Sequence, residues 1–205
     1  MPALWTAPDN LLLASTSATR LALLVSAGLS VETQAPDVDE RRIEEAAGGE
    51  GLEPPALAGR LAAEKALAVS RRHPQRIVLG ADQVLACGGA VFHKVADREA
   101  AKDQLQALSG KSHALHSAGA LAIGGAVVES FVATATLTMR PLTSEVIDLY
   151  LELADPAVLR SVGVYRYEGL GVHLFDSVEG DHSTILGLPL LPLLSALRRL
   201  GCLAL

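Results

Sequence analysis

The sequence predicts an α/β fold in one domain, residues 1–205, whose two lobes share a sheet. Three observations carry that expectation. Strand and helix patterns alternate along the chain instead of segregating into blocks. No clean linker interrupts the 205 residues, and there is no internal repeat or low-complexity segment. Half of the residues are apolar and 20% are charged, enough to bury a substantial core at this length.

The first element is the apolar run Leu11-Leu12-Leu13-Ala14, a buried strand that gives way to the hydroxyl-rich loop Ser15-Thr16-Ser17. Residues 19–25 then read as the first turns of a helix that stops at Gly28. A strand is expected near 30–34, followed by the acidic loop Pro36-Asp37-Val38-Asp39-Glu40 and a Gly/Glu-rich, mobile stretch over 44–55. Helical spacing returns over 57–70, where Leu57, Leu61, Ala62, Lys65 and Val69 lie close to one face. The apolar run 77–86 is interrupted by Asp82 and Gln83, and Gly88-Gly89 signals a hairpin turn into 91–94. Asp97 caps a helix running to Leu108, closed by Ser109-Gly110. A long hairpin over 113–123 and 126–139 turns at Gly124-Gly125, and Thr143 caps a helix through about Leu153. Short strands are expected around Val164 and over 172–175, then a last helix over 190–200 ending at Gly201.

Composition limits the partners. A net charge of -6, no block of Lys or Arg and 3% aromatics argue against long nucleic acid, whereas a small polyanion needs only three or four local cations. Cys87 and Cys202 match no metal-ligand spacing and read as free thiols of a reducing cytosol. The richest apolar stretch, 186–197, is cut by Pro189 and Pro192, so no membrane span is expected, and the chain reads as cytoplasmic.

The opening loop has the makings of an anion site. A loop feeding a helix N-terminus offers unpaired backbone N–H groups and a partial positive charge. Ser15 and Ser17 add hydroxyls, and Arg20 adds a guanidinium that can fork onto phosphate oxygens. The plain alternative makes Ser17 an N-cap and Arg20 a surface charge. Asp82, inside an apolar run, is either a paired structural carboxylate or a metal ligand or base at a strand end, where Gly80 permits close approach. Asp39 and Glu40 are loop charges or a helix cap unless they join Asp82 in an oxygen-rich site suited to Mg²⁺. Lys65 and Lys94 are snorkelling lysines or, with Arg20, three cations facing a polyphosphate. His113 and His116, three residues apart on one strand, point to opposite faces and make a poor metal pair. No G-x-x-x-x-G-K-[ST], G-x-S-x-G or H-E-x-x-H motif is present, which counts against P-loop, α/β-hydrolase and zincin chemistry.

Taken together and in order, these segments resemble the Maf family of nucleotide pyrophosphatases. Ser15-Thr16-Ser17-Ala18-Thr19-Arg20 is similar to the family's S-x-S-P-x-R, and Pro36 to Glu40 to its P-D-x-D-E. Leu61-Ala62-Ala63-Glu64-Lys65-Ala66, Gly80-Ala81-Asp82-Gln83 and His93-Lys94-Val95 follow its L-A-x-x-K-A, G-A-D-T/Q and G-K-P. Leu105 to His113 carries L-x-x-L-S-G-x-x-H, Val162-Gly163-Val164-Tyr165 with Gly169 the late A-G-x-Y…G, and Gly180-Asp181 with Gly187-Leu188-Pro189-Leu190 the close. Ala18 in place of proline, His93 and Val95 around Lys94, and Val162 before Gly163 depart from the pattern without removing a charged group.

The resemblance implies a mixed α/β fold of the Maf/inosine-triphosphatase type, with an elongated sheet, a cleft between two lobes and a homodimeric assembly. It implies hydrolysis of a nucleoside triphosphate to the monophosphate and pyrophosphate. Ser15, Ser17, Thr19, Arg20, Lys65 and Lys94 would hold the substrate, and Glu40 and Asp82 would hold Mg²⁺ or Mn²⁺. Asp82 would also act on the attacking water, while Gln83 and Glu168 would read the base. Gln83 after the Asp, together with Glu168, is similar to the branch acting on 7-methyl-GTP, although Thr19 stands where that branch tends to have an aromatic residue. The alternatives are a dTTP/UTP pyrophosphatase and a weakly catalytic regulator of cell division.

Overall fold

The computed structural model describes residues 4–205. Seven strands form one mixed sheet: β1 (Leu11–Ala14), β2 (Val31–Thr33), β3 (Val78–Cys87), β4 (Ala90–Phe92), β5 (Ser112–Ile123), β6 (Ala126–Met139) and β7 (Phe175–Glu179). Their order is β2-β1-β3-β5-β6-β7, with β4 paired to β3 off that path. β2, β1 and β3 are parallel, and the remaining pairs are antiparallel. The helices are α1 (Ala18–Ser26), α2 (Glu40–Gly49), α3 (Pro54–Ser70), α4 (Arg98–Leu108), α5 (Ser144–Leu153), α6 (His182–Ile185) and α7 (Leu190–Arg199). None of the described helices is long and apolar enough to cross a membrane.

Strand alternation divides the core. On one face Val84, Ala118, Ala120 and Ala122 meet α3 through Ala58, Leu61, Ala62 and Ala66. Small side chains there let helix and sheet approach closely. At Gly80 an added Cβ would sit 2.1 Å from the Ala62 carbonyl oxygen and 2.5 Å from the Ala66 nitrogen, so only glycine fits. The opposite face carries two apolar clusters, Leu79, Ala81 and Leu121 under α1 and α7 at one end, Leu85 and Leu115 under α4 and α5 at the other. Gln83 and Ser117, register partners, separate the two clusters.

Several expectations need correction. Most of the stretch 44–55 is helical, with only 50–53 left as a turn between α2 and α3: α2 runs to Gly49 because the Asp39 carboxylate accepts from the Arg42 N–H and Ala47 is buried against α3. No strand forms around Val164 or over 172–175. Gly163 and Val164 take left-handed φ values of 81° and 60°, and short 3-10 turns occupy Val162–Val164 and Leu170–Leu174, so β7 begins only at Phe175. The four-residue α6, started by the Asp181 cap, lay outside the expected elements. At the periphery, Trp5 bridges to Leu203, the Thr6 N–H donates to the Cys202 carbonyl at 3.0 Å, and the Trp5 indole N–H donates to the Asp9 carbonyl.

Candidate active site

β1 pairs with β3 only as far as Ala14 opposite Gly80, and β4 pairs with β3 only from Leu85 onward. The edge of β3 between Ala81 and Val84 is therefore uncovered. A cleft of about 1140 Å³ opens there, at the carboxyl end of the parallel strands. The loop leaving β1 forms one wall. The Ser15 hydroxyl accepts from the Ser17 N–H at 3.1 Å, and the Ser17 hydroxyl accepts from the Arg20 N–H at 3.3 Å, which starts α1. Both hydroxyls keep their own hydrogens to donate, and the Ala18 and Thr19 N–H groups stand in the first turn, where helices leave them unpaired.

Arg20 is fixed by two backbone carbonyls from other segments. Its Nε donates to the Gly187 carbonyl and its Nη1 to the uncovered Ala81 carbonyl, each at 2.9 Å. Gly187 has a φ of 91°, and a Cβ there would come within 3.4 Å of Arg20 Nε, so this position also demands glycine. Burial lowers the guanidinium pKa, against the opposing pull of Asp82 and Glu40. Arginine keeps its charge throughout.

Lys65 is not a snorkelling surface lysine. Close packing at Gly80 carries it, one turn of α3 away, onto Asp82 of β3. Its Nζ lies 2.5 Å from Asp82 Oδ1 and 2.9 Å from Glu40 Oε1, and Lys65 and Asp82 are 6% and 7% exposed. One ammonium thus joins two carboxylates from separate elements, and Asp82 keeps Oδ2 for other partners. Burial opposes ionisation of Glu40, but the charge and hydrogen bond of Lys65, with Lys94 and Arg20 beyond, outweigh it and hold its pKa below the ordinary glutamate value.

Gln83 faces the other side of β3. Its amide nitrogen donates to the Ser117 hydroxyl at 3.0 Å and to the carbonyls of Thr184 and Ile185 at 3.1 and 3.0 Å. Three acceptors fix which end of the amide is nitrogen. Its carbonyl oxygen accepts from no donor among the described residues. Lys94 lies exposed past β4, and Thr19 and Glu168 complete the expected set on the cleft wall. Glu168 Oε1 accepts from Arg166 Nε and Nη2 at 3.2 and 3.0 Å.

Ser15, Ser17, Thr19, Arg20, Glu40, Lys65, Asp82, Gln83, Lys94 and Glu168 all line this cleft, whereas Asp39 takes the helix-cap role and starts α2. The Maf-like protein family model matches residues 10–200. The chain belongs to the Maf-like family. It is 50% identical over 202 residues to a nucleoside triphosphate pyrophosphatase of Rhodopseudomonas palustris, covering 98% of each chain. It is 50% identical over 204 residues to one of Nitrobacter hamburgensis, covering 99% of this chain and all of that one. It is 48% identical over 192 residues to a 7-methyl-GTP pyrophosphatase of Rhizobium johnstonii, covering 94% of this chain and 96% of that one.

Further groups of this Maf-like cleft escaped the sequence. Arg41, Arg160 and Arg166 add guanidinium groups to its wall, and Tyr167 adds an aromatic ring beside Glu168. Tyr167 packs with its ring centroid 6.1 Å from that of Phe175 and 5.8 Å from that of His182. Arg41 stands in the first turn of α2 and Arg160 at the end of a 3-10 turn, while Arg166 and Tyr167 lie in an irregular turn, so no common spacing marks them in the sequence. Among the described residues no group of three or more His, Cys, Asp or Glu side chains gathers to hold a metal.

Proposed function

We propose that this Maf-like protein is a nucleoside triphosphate pyrophosphatase, releasing pyrophosphate and leaving the nucleoside monophosphate. The observation that carries the reading is the meeting of the β1–α1 hydroxyl loop, Arg20 and Lys94 with the Glu40–Lys65–Asp82 triad on one cleft. The α1 N-terminus, Arg20 and Lys94 would hold the phosphate oxygens. Lys65 would bridge the two carboxylates, offset their mutual repulsion and orient Asp82. The free Oδ2 of Asp82 would accept a proton from the attacking water as its oxygen closes on the α-phosphorus. The bond from that phosphorus to the α,β-bridging oxygen breaks, and the pair of electrons leaves with pyrophosphate.

The donor set fits a hard divalent cation. Mg²⁺ is commonly held by one or two carboxylates, with substrate phosphates and waters completing its shell. Glu40 and Asp82 would hold Mg²⁺ or Mn²⁺, which when bound neutralises phosphate charge. The shortage of further protein ligands accords with an ion that arrives with the triphosphate.

For the base, we favour 7-methylguanine. Gln83 is held with its carbonyl oxygen free, and Glu168 offers a carboxylate, so the cleft presents two acceptors. A guanine edge offers two neighbouring donors, N1–H and the exocyclic amine, whereas uracil or thymine offers one between two carbonyls. The cationic methylated ring suits the Glu168 charge, and Tyr167 would supply the aromatic face that Thr19 lacks. The names of the Rhizobium and Mesorhizobium relatives support the same choice.

Pyrophosphate release across a panel of standard and methylated triphosphates tests the reading. Turnover is expected to be fastest with 7-methyl-GTP, and Asp82→Asn is expected to lower kcat by about 10²–10⁴-fold. Equal rates across the panel would overturn the base assignment. Undiminished turnover in Asp82→Asn would remove that carboxylate from the chemistry.

A further inference from the structure

His113 and Tyr165 are motif residues to which the reaction gives no work, and both are buried. We propose that Tyr150, Tyr165 and His113 are positioning residues that hold the turn over 163–168 in a strained conformation, so that Glu168 faces the base. The inference rests on the reading of Glu168 as a base-contacting residue.

The strain is visible in the backbone. Val164 has a φ of 60°, a left-handed conformation that a β-branched residue rarely adopts, and Gly163 before it has a φ of 81°. Gly163 admits no side chain, since a Cβ would lie 2.4 Å from Tyr165 Cε1 and 2.8 Å from Leu85 Cδ1. Local propensity would return Val164 to extended geometry, which would turn the backbone and re-aim every residue after it. Something outside the turn must hold it.

Two buried hydrogen bonds do so. The Tyr150 hydroxyl, on α5, donates to the Val164 carbonyl at 3.1 Å. The Tyr165 hydroxyl and His113 Nε2, on β5, lie 2.7 Å apart. Phe175 braces the Tyr165 ring edge-on at 4.8 Å between centroids and 77° between planes. Beyond this anchor the chain carries Arg166, Tyr167 and Glu168 along the cleft wall, and closes where a Cβ on Gly171 would meet the Arg166 carbonyl oxygen at 2.5 Å. The turn is thus held at one end by these hydrogen bonds and at the other by the close packing of Gly171 on the Arg166 carbonyl.

Tyr150→Phe and Tyr165→Phe remove one hydroxyl each and keep the rings. Three quantities separate a positioning role from a structural one: the ratio of kcat/KM for 7-methyl-GTP to that for UTP, the inhibition constant of inorganic pyrophosphate, and the thermal midpoint. In either variant the ratio is expected to fall by about tenfold, chiefly through KM for 7-methyl-GTP, while pyrophosphate inhibition stays within about twofold. His113→Gln, which can still bond the Tyr165 hydroxyl, is expected to keep more of the ratio than His113→Leu. An unchanged ratio in both tyrosine variants overturns the inference, as does a uniform weakening of both triphosphates and pyrophosphate. A wild-type protein that makes no distinction between the two bases overturns the base reading and this inference with it. A wild type that distinguishes them, with variants that do so equally well, overturns the inference alone.

Discussion

At residue scale, His113 shows what burial without a counter-charge does. The side chain is 2% exposed, its Nδ1 has no partner among the described residues, and burial pulls its pKa down to about 4 from 6.5. The folded protein therefore keeps this ring neutral over a range in which the unfolded chain binds a proton. Stability rises with pH between those values and is lost as pH falls from about 6.5 toward 4, because the unfolded state binds more protons there. The size of the effect is about 2 kcal/mol by pH 5 and about 3 kcal/mol at the acid limit. His116 is pulled in the same direction by burial, so the informative quantity is the difference between proteins. Urea unfolding of the wild type and of His113→Gln at pH 7.5 and pH 5 should show a smaller acid loss in the variant; parallel losses would rule out His113 as the source. The spacing of His113 and His116 put them on opposite strand faces, but nothing in it showed that Tyr165 bonds to His113. That pairing spans 52 residues and is set by the packing of the whole far cluster.

At the scale of elements, the contact of α3 with β3 decides whether there is a site. Gly80 lets the helix backbone lie on the strand, and the same contact sets Lys65 against Asp82 two residues along. The obstacles to a methyl group at Gly80 are backbone atoms of Ala62 and Ala66, which cannot rotate aside. Gly80→Ala should therefore cost about 3 kcal/mol or more in denaturant unfolding and weaken triphosphate binding as α3 is pushed outward. Wild-type stability in this variant would show that the contact is looser than described. Gly80 was legible as a point of close approach, since a glycine inside an apolar strand run has few other uses. The helical face of 57–70 was legible from its spacing. α2 was not legible although its Asp39 cap stood in the sequence, because Gly48 and Gly49 in its last turn and Gly51 just beyond weaken the helical signal. The turns around Val164 were read as strands because β-branched residues there favour extended geometry, and the tertiary hydrogen bond from Tyr150 overrides them.

Across the whole molecule, the cleft collects segments from both ends of the core and both faces of β3. A ligand that binds the folded chain alone should stabilise all of them together. With Mg²⁺ and an α,β-methylene triphosphate at 100 times its Kd, the gain is about 2.7 kcal/mol, or roughly 5–10 °C in Tm. An unchanged Tm under those conditions would mean that the cleft does not bind the polyphosphate. Such long-range meeting is invisible to local periodicity: the 66 positions between Ser15 and Asp82 carry no spacing that announces their proximity. It became legible only as an ordered set of short motifs. A quieter consequence concerns the rim where Trp5 and Leu203 zip together. Trp5 is the chain's single tryptophan, so its intrinsic fluorescence is a built-in reporter of that seam fraying, spectrally separate from the chemistry.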